Sequence, residues 1–299
     1  MIVITISNKD NGGLIMKPLN EMKVIQIEVT NSCNHRCANC TRLIGHHKKP
    51  FFMDIETIKA GLESLEGFKG HVGLMGGEPT LHPQFEEICR LYQEKIPEKG
   101  RREFWTSGYK WDKYEDLVRE TFETKYIAYN DHTQDEGYHQ PLLIASDEIV
   151  DDKELMWKLI DNCWVQNRWS ASITPKGCFF CEVAAAIDIL FDGPGGWPIE
   201  KGWWNKTPEQ FQDQVNHYCT MCSAAIPLNI PNHNENYDLV SKGNAEKLEK
   251  IGSPKFLAGH YKIYDKKYTF DDYKANFKTW APGQYRDFIQ HEPGVRLKQ

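Results

Sequence analysis

Three cysteines fall within the segment Cys33-Asn34-His35-Arg36-Cys37-Ala38-Asn39-Cys40, directly after an apolar, strand-like run. Thiolates at C-x3-C-x2-C spacing can ligate three corners of one iron–sulfur cube and leave the fourth iron without a protein ligand. An iron left open in this way can bind a substrate or cofactor, as the open position of a catalytic zinc does. A second signal, Gly76-Gly77-Glu78-Pro79, follows another apolar run, His71 to Met75. In the second half lie two C-x2-C pairs, Cys178/Cys181 and Cys219/Cys222, with Cys163 upstream of them. On their own, these pairs also read as a structural zinc site, which makes a zinc-stabilised binding scaffold the non-enzymatic alternative.

The two N-terminal motifs, in this order and context, make the chain resemble the radical S-adenosylmethionine (SAM) superfamily. The resemblance implies a [4Fe–4S] cluster on Cys33, Cys37 and Cys40, with the amine and carboxylate of SAM on the open iron. It implies reductive cleavage of SAM to a 5′-deoxyadenosyl radical that abstracts a substrate hydrogen atom, the cofactor supplying the hard chemistry. A one-electron reductant such as flavodoxin or ferredoxin belongs to the same scheme. Glu78, with the backbone of Gly76 and Gly77, is implied as partner of the methionyl amine. Ser107 and Asn130, just past strand ends, are candidates for the ribose hydroxyls by position. The family usually places an aromatic residue before the last cysteine of the loop. Asn39 stands there instead, so that adenine contact is not carried over.

The later cysteines resemble the SPASM/twitch extension of radical SAM enzymes, in its shorter, one-cluster form. There a cysteine, a hairpin with a turn glycine and a cysteine, and a C-x2-C pair hold an auxiliary [4Fe–4S] cluster. The implied ligands are Cys163, Cys181, Cys219 and Cys222, with Gly177 as the turn glycine. Cys181 is one residue closer to Gly177 than usual, which keeps Cys178 as the alternative ligand. A Cys178 that is not a ligand could instead return a hydrogen atom to a substrate radical, which would give epimerisation. The plainer reading is a half-buried strand cysteine, and Cys89 reads as core. One auxiliary cluster in a short chain resembles the aminocyclitol dehydrogenase branch. The expected reaction is therefore oxidation or epimerisation of a small sugar- or cyclitol-like molecule, with a peptide-modifying maturase as the alternative. No room for a peptide-recognition module is evident before Lys23. Trp197, Trp203 and Trp204, with Trp164 and Trp169 nearby, could face a sugar ring but more readily pack in a core. His132, His139 and Glu182 are candidate proton acceptors.

These residues must be held by an α/β scaffold. Lys23 to Thr30 alternates apolar and polar residues as a strand does. Asp54 can cap a helix with Ile55, Ile58, Leu62 and Leu65 on one face. Strands follow at His71–Met75, Glu103–Thr106, Lys125–Tyr129 and Leu142–Ala145, with helices at Phe85–Ile96, Asp112–Thr121 and Asp151–Ile160. The alternation predicts a partial TIM-like (β/α)6 barrel, shortened or irregular, with its chemistry at the carboxyl ends of the strands. Ser170 to Cys181 reads as a hairpin turning at Pro175-Lys176-Gly177, and Glu182 to Phe191 as a short helix. The expected division is a barrel at 1–160, a twitch-like auxiliary-cluster domain at 161–230, and an extension at 231–299 that packs on the barrel or covers its mouth. The chain has 299 residues and a net charge of −6 from 36 basic and 42 acidic residues, an acidic balance that speaks against nucleic acid as partner. Arg42, Lys48 and Lys49 read as a solvated loop or an anion patch beside the cysteines. No stretch is apolar enough for a membrane span and the N-terminal segment is too polar for a secretory signal, so a cytoplasmic location is expected. The nine cysteines then read as metal ligands and free thiols rather than as disulfides.

Overall fold

The computed structural model describes residues 16–129, 139–168, 170–228 and 237–276. Its main sheet contains β1 (Val24–Glu28), β2 (His71–Met75), β3 (Arg102–Thr106), β4 (Ile127–Tyr129), β5 (Ser170–Thr174) and β6 (Gly177–Phe179). The order across the sheet is β4-β3-β2-β1-β5-β6. Strands β1 to β5 are parallel, and β6 is antiparallel to β5. Among the described residues the sheet stays open, with β4 and β6 at its edges. This is the partial, shortened barrel that the alternating pattern implied. The helices are α1 (Ile55–Ser64), α2 (Phe85–Lys95), α3 (Trp111–Thr121), α4 (Ser146–Ile149), α5 (Lys153–Asp161), α6 (Trp164–Arg168), α7 (Glu182–Phe191), α8 (Gln212–Tyr218), α9 (Lys242–Lys250), α10 (Pro254–Leu257) and α11 (Phe270–Asn276). A separate parallel pair is formed by β7 (Asp238–Val240) and β8 (Tyr261–Ile263). No described helix is long and apolar enough to cross a membrane.

One strand is corrected. Leu142–Ala145 is not in the main sheet, and Leu143 only bridges Val240. The place beside β1 is taken by β5, the first strand of the hairpin. A short apolar run is compatible with any buried backbone whose polar groups find partners. Here the partners are Ser223 N on the Leu142 carbonyl and Ser241 N on that of Leu143. Through β5 the hairpin shares backbone hydrogen bonds with the N-terminal strands.

The sheet has two unlike faces. Ile25, Ile27, Leu74, Phe104 and Ile173 point to the helix side and are fully buried. Asp54 caps α1 by accepting from Thr57 N at 2.9 Å. Ile58 and Leu62 of α1 are buried in the same core. The opposite face carries Gln26, Glu28, Glu103 and Ser172, also buried. Register sets Ser172, Gln26, Gly73 and Glu103 in one row across four strands. The alternation in β1 therefore separates an apolar core from an enclosed polar interior, not core from solvent.

Candidate functional site

The two N-terminal motifs are fastened to each other by backbone. Beyond β1 and β2 the pairing continues with Val29 N to Met75 O at 2.9 Å, Gly77 N to Thr30 O at 2.7 Å and Glu78 N to Ser32 O at 2.7 Å. A Cβ on Gly76 or Gly77 would run into the carbonyl oxygens of Thr30 and Ser32. Both glycines are thus required by the approach of the cysteine loop itself. The loop's return strand is held by Thr30 Oγ1 donating to Phe51 O at 2.6 Å and Phe51 N donating to Asn31 Oδ1 at 2.7 Å.

Cys33, Cys37 and Cys40 line one cavity at the carboxyl ends of the strands, together with Gly76, Gly77 and Ser107. The cavity encloses ≈560 Å³ and opens to solvent. His35, Arg42, Met75, Trp105 and His139 complete much of its wall. Burial pushes the Cys33 thiol up to about 11 and the Cys37 thiol to about 12, and the neighbouring cysteines add to both. Burial raises Cys40 as well, with Arg42 opposing and Asp238 reinforcing the shift. Three thiols in mutual electrostatic range, each reluctant to ionise alone, suit a metal group that stabilises the thiolates. Among the described residues no three His, Cys, Asp or Glu side chains converge closely enough to hold a single metal ion. A cube distributes its cysteines over separate irons, so the set fits that group without such convergence.

Glu78, expected with Gly76 and Gly77 at the methionyl amine, has a fully buried side chain that is not among the residues lining the cavity. Oε1 accepts from Thr80 N at 3.1 Å and Thr106 Oγ1 at 3.0 Å, and Oε2 from Ser107 N at 2.7 Å and Ser107 Oγ at 2.8 Å. The carboxylate therefore ties the end of β3 to the turn after β2, and the cavity is offered the backbone of Gly76 and Gly77 rather than Glu78. Ser107 does reach the cavity, and its hydroxyl also lies 3.1 Å from Asn34 Oδ1. Asn130 and His132 lie outside the described residues, as does Trp169. Asn39 is buried with φ +50°, and its Oδ1 accepts from Leu239 N at 3.1 Å. The asparagine at the usual aromatic position thus serves the loop's attachment to β7.

Arg42 is corrected, being 2 % exposed rather than solvated. Its guanidinium pairs with Glu182 Oε2 at 2.9 Å, donates to Gln26 Oε1 at 2.8 Å and lies 3.8 Å from Glu28 Oε1. Glu182 is thereby committed to an ion pair, which leaves His139 as the candidate proton acceptor found on the cavity wall. His139 Nδ1 lies 3.3 Å from Ala38 O, which fastens the ring to the cysteine loop. Behind Arg42 and Trp105, the polar row keeps Gln26 Nε2, Glu28 Oε2, Glu103 Oε2 and Ser172 Oγ without hydrogen-bond partners. Burial pushes Glu28 up to about 7 against the pull of Arg42, and Glu103 up to about 8 against its bond from Trp105 Nε1. The two-residue period from Glu103 to Trp105 at the end of β3 is the sequence signal for this wall.

The second group of cysteines also gathers. Cys163, Cys181, Cys219 and Cys222 line one cavity with Met16, Ile160, Phe180, Val183 and Tyr218. Burial raises all four thiols, Cys222 to about 12, and Cys219 is raised further by each of the other three. Cys178, the candidate hydrogen donor or alternative ligand, lies apart from both cavities. It is fully buried in β6, opposite Ile173 on the helix side of the sheet, away from Ser172 and Thr174. It does not line the second cavity either, and Cys89 is core as expected. Trp164, Trp197, Trp203 and Trp204 pack against other residues and do not line either cavity. Trp203 Nε1 donates to Ser64 Oγ at 3.2 Å, Trp204 Nε1 to Ser64 O at 3.0 Å, and Trp197 lies against Trp203. Trp164 donates to Gln140 Oε1 at 3.1 Å.

Comparison with known proteins places a match to the family model "Radical SAM superfamily" on residues 27–140. No curated protein matches the chain. The chain is similar to the crystal structure of BtrN in complex with AdoMet and 2-DOIA, with 18 % identity, TM-score 0.43, and coverage of 68 % of this chain and 88 % of that one. It is also similar to selenomethionine BtrN in an open conformation, with 17 % identity, TM-score 0.41, and coverage of 69 % and 87 %. The matched residues 27–140 contain the cysteine loop, the Gly76–Pro79 segment and Ser107, so the segment that the radical SAM superfamily model matches is the one that carries the first cavity's motifs.

Proposed function

We propose that the chain is a radical SAM oxidoreductase that oxidises a hydroxyl-bearing small molecule of the sugar or cyclitol class. The observation that carries this reading is the single cavity at the strand ends, walled by Cys33, Cys37, Cys40, the backbone of Gly76 and Gly77, and Ser107. When bound, a [4Fe–4S] group on the three cysteines supplies the electron that splits SAM, and one on Cys163, Cys181, Cys219 and Cys222 takes up an electron from the substrate. The chain's own part is binding, orientation and proton handling. Gly76 and Gly77 present backbone polar groups to the methionyl end of SAM. Ser107 holds a hydroxyl where a ribose can be met, its orientation fixed by Glu78. His139 accepts the hydroxyl proton as the substrate carbon becomes a carbonyl.

The polar interior supports the substrate class. The cavity meets that interior through Arg42 and Trp105, which line it and bond to Gln26 and Glu103. Buried polar groups of this kind are costly unless paired, and Arg42 and Trp105 carry their polarity to the cavity wall, which suits a ligand rich in hydroxyl groups. Oxidation is favoured over epimerisation because Cys178 does not face this interior. The experiment is anaerobic turnover of candidate polyols with SAM and dithionite, followed by mass spectrometry. A ketone product formed with one 5′-deoxyadenosine per turnover supports the reading. In deuterated buffer, products isomeric with the substrate that have gained one solvent deuterium, with no ketone formed, would contradict it.

A further inference from the structure

The described part of the C-terminal segment makes a set of buried polar contacts with the first cysteine loop. Asp238, at the start of β7, is 3 % exposed and receives Lys255 Nζ on Oδ1 at 2.7 Å and meets His46 Nε2 with Oδ2 at 2.7 Å. The backbone N of Asn39 also donates to Asp238 Oδ1. Lys255, on α10 and 6 % exposed, donates in addition to Cys37 O at 3.0 Å. His46 Nδ1 meets Ser253 Oγ at 2.7 Å, at the cap of α10. The stem of Lys255 passes so close to Gly45 that a Cβ there would lie 2.7 Å from Cδ. Asp238, Lys255, His46, Ser253 and Asn39 are all buried, and Cys37 is half-buried. An ammonium and a carboxylate taken out of water are retained only with close partners, and here the partners are the cysteine loop.

We propose that β7 and α10 form a clasp on the first cysteine loop, in which Lys255 and Asp238 position Cys37 and Asn39 and, by their opposed charges, set the reduction potential of the group held by Cys33, Cys37 and Cys40. This rests on the reading that those cysteines hold an iron–sulfur cluster. Potentials of such clusters respond to nearby charge and hydrogen bonding. Removing the ammonium leaves a buried carboxylate beside the loop, which disfavours the reduced, more negative cluster. Neutralising the carboxylate leaves the ammonium, which favours it. The two substitutions therefore act in opposite directions, a pattern that loosened packing alone does not produce.

The test uses the full chain, reconstituted anaerobically with iron and sulfide and titrated electrochemically with EPR detection. The first site is identified as the signal that changes when SAM is added, and a wild-type protein with no such signal overturns the underlying reading and the clasp together. Given that signal, Lys255→Met should lower its midpoint and Asp238→Asn raise it. Each change should be at least tenfold in the reduction equilibrium, about 59 mV for one electron. Lys255→Arg should stay near wild type. Loss of that signal alone in Lys255→Met, with a native circular dichroism spectrum, also supports the clasp. If Lys255→Met does not fold, Asp238→Asn and Lys255→Arg decide. Midpoints that are unchanged in the folded variants, or that shift in the same direction for both charge deletions, overturn it.

Discussion

The two cysteine sites differ in polarity, as the separate tasks proposed for them would demand. The first is partly exposed, walled by histidine, arginine, threonine and serine, and open to solvent. The second has Cys163, Cys181 and Cys222 buried among Met16, Ile160, Phe180, Val183 and Ile187. A metal group that must receive a polar cofactor needs a vacant position and a polar approach. One that only stores an electron needs four thiolates and exclusion of water, which also tunes its potential. The sites are nonetheless linked in the chain. Arg42 follows Cys40 by two residues, Glu182 follows Cys181 directly, and the two side chains form a buried ion pair.

The largest expected contrast comes from removing one cysteine at each site. Cys37→Ala should reduce 5′-deoxyadenosine formation to background. Cys181→Ala should leave the SAM-responsive EPR signal of the first site while oxidised product disappears. Equal loss of the SAM-responsive signal in both variants would erase the distinction. Next in size is Gly77→Ala, whose Cβ meets the Ser32 carbonyl. We expect about 1–3 kcal/mol of destabilisation from the enforced shift, with iron lost from the first site and retained at the second, read by urea unfolding and iron analysis.

A smaller effect sharpens the polar character of the first site. Glu103 has its folded value raised from 4.5 to about 8, so the neutral acid is the form the fold favours. The stability this contributes is complete below about pH 4.5 and is lost as pH rises through the folded value. Glu103→Gln should therefore become progressively more stable than wild type across that interval. The gain is at most roughly 1.4 kcal/mol per pH unit, measured by urea unfolding at several pH values. A gap that narrows with rising pH would contradict the assignment. Least of all should Cys178→Ala matter: about 1 kcal/mol from lost buried volume, with iron content and SAM cleavage unchanged. A drop in iron per chain would return Cys178 to the second site.

Much of this was legible in the sequence because motif residues sit at strand ends, where local patterns are strong. β2 and α7 fall at the expected residues, and Asp54 caps α1 as its position before Ile55 suggests. The four cysteines chosen for the second site share a cavity, whereas Cys178 is turned away by the two-residue period of β6. What the sequence did not disclose depends on partners distant along the chain. The part Glu78 plays in fastening β3 to the turn after β2 shows only once Thr106 and Ser107 are seen around its carboxylate. Arg42 looks solvated until β1 and α7 supply Gln26, Glu28 and Glu182 around it. Leu142–Ala145 reads as a strand by apolarity alone, yet its backbone is satisfied by residues 223 and 241. The departure at Asn39 becomes intelligible only with Asp238 and Leu239 beside it.

The most direct measurement is EPR of the anaerobically reconstituted, dithionite-reduced protein with and without SAM, paired with mass spectrometry for 5′-deoxyadenosine. The account predicts a reduced iron–sulfur signal that SAM perturbs in wild type and in Cys181→Ala but that is missing in Cys37→Ala, with 5′-deoxyadenosine following the signal. A SAM-responsive signal and undiminished 5′-deoxyadenosine in Cys37→Ala would contradict it.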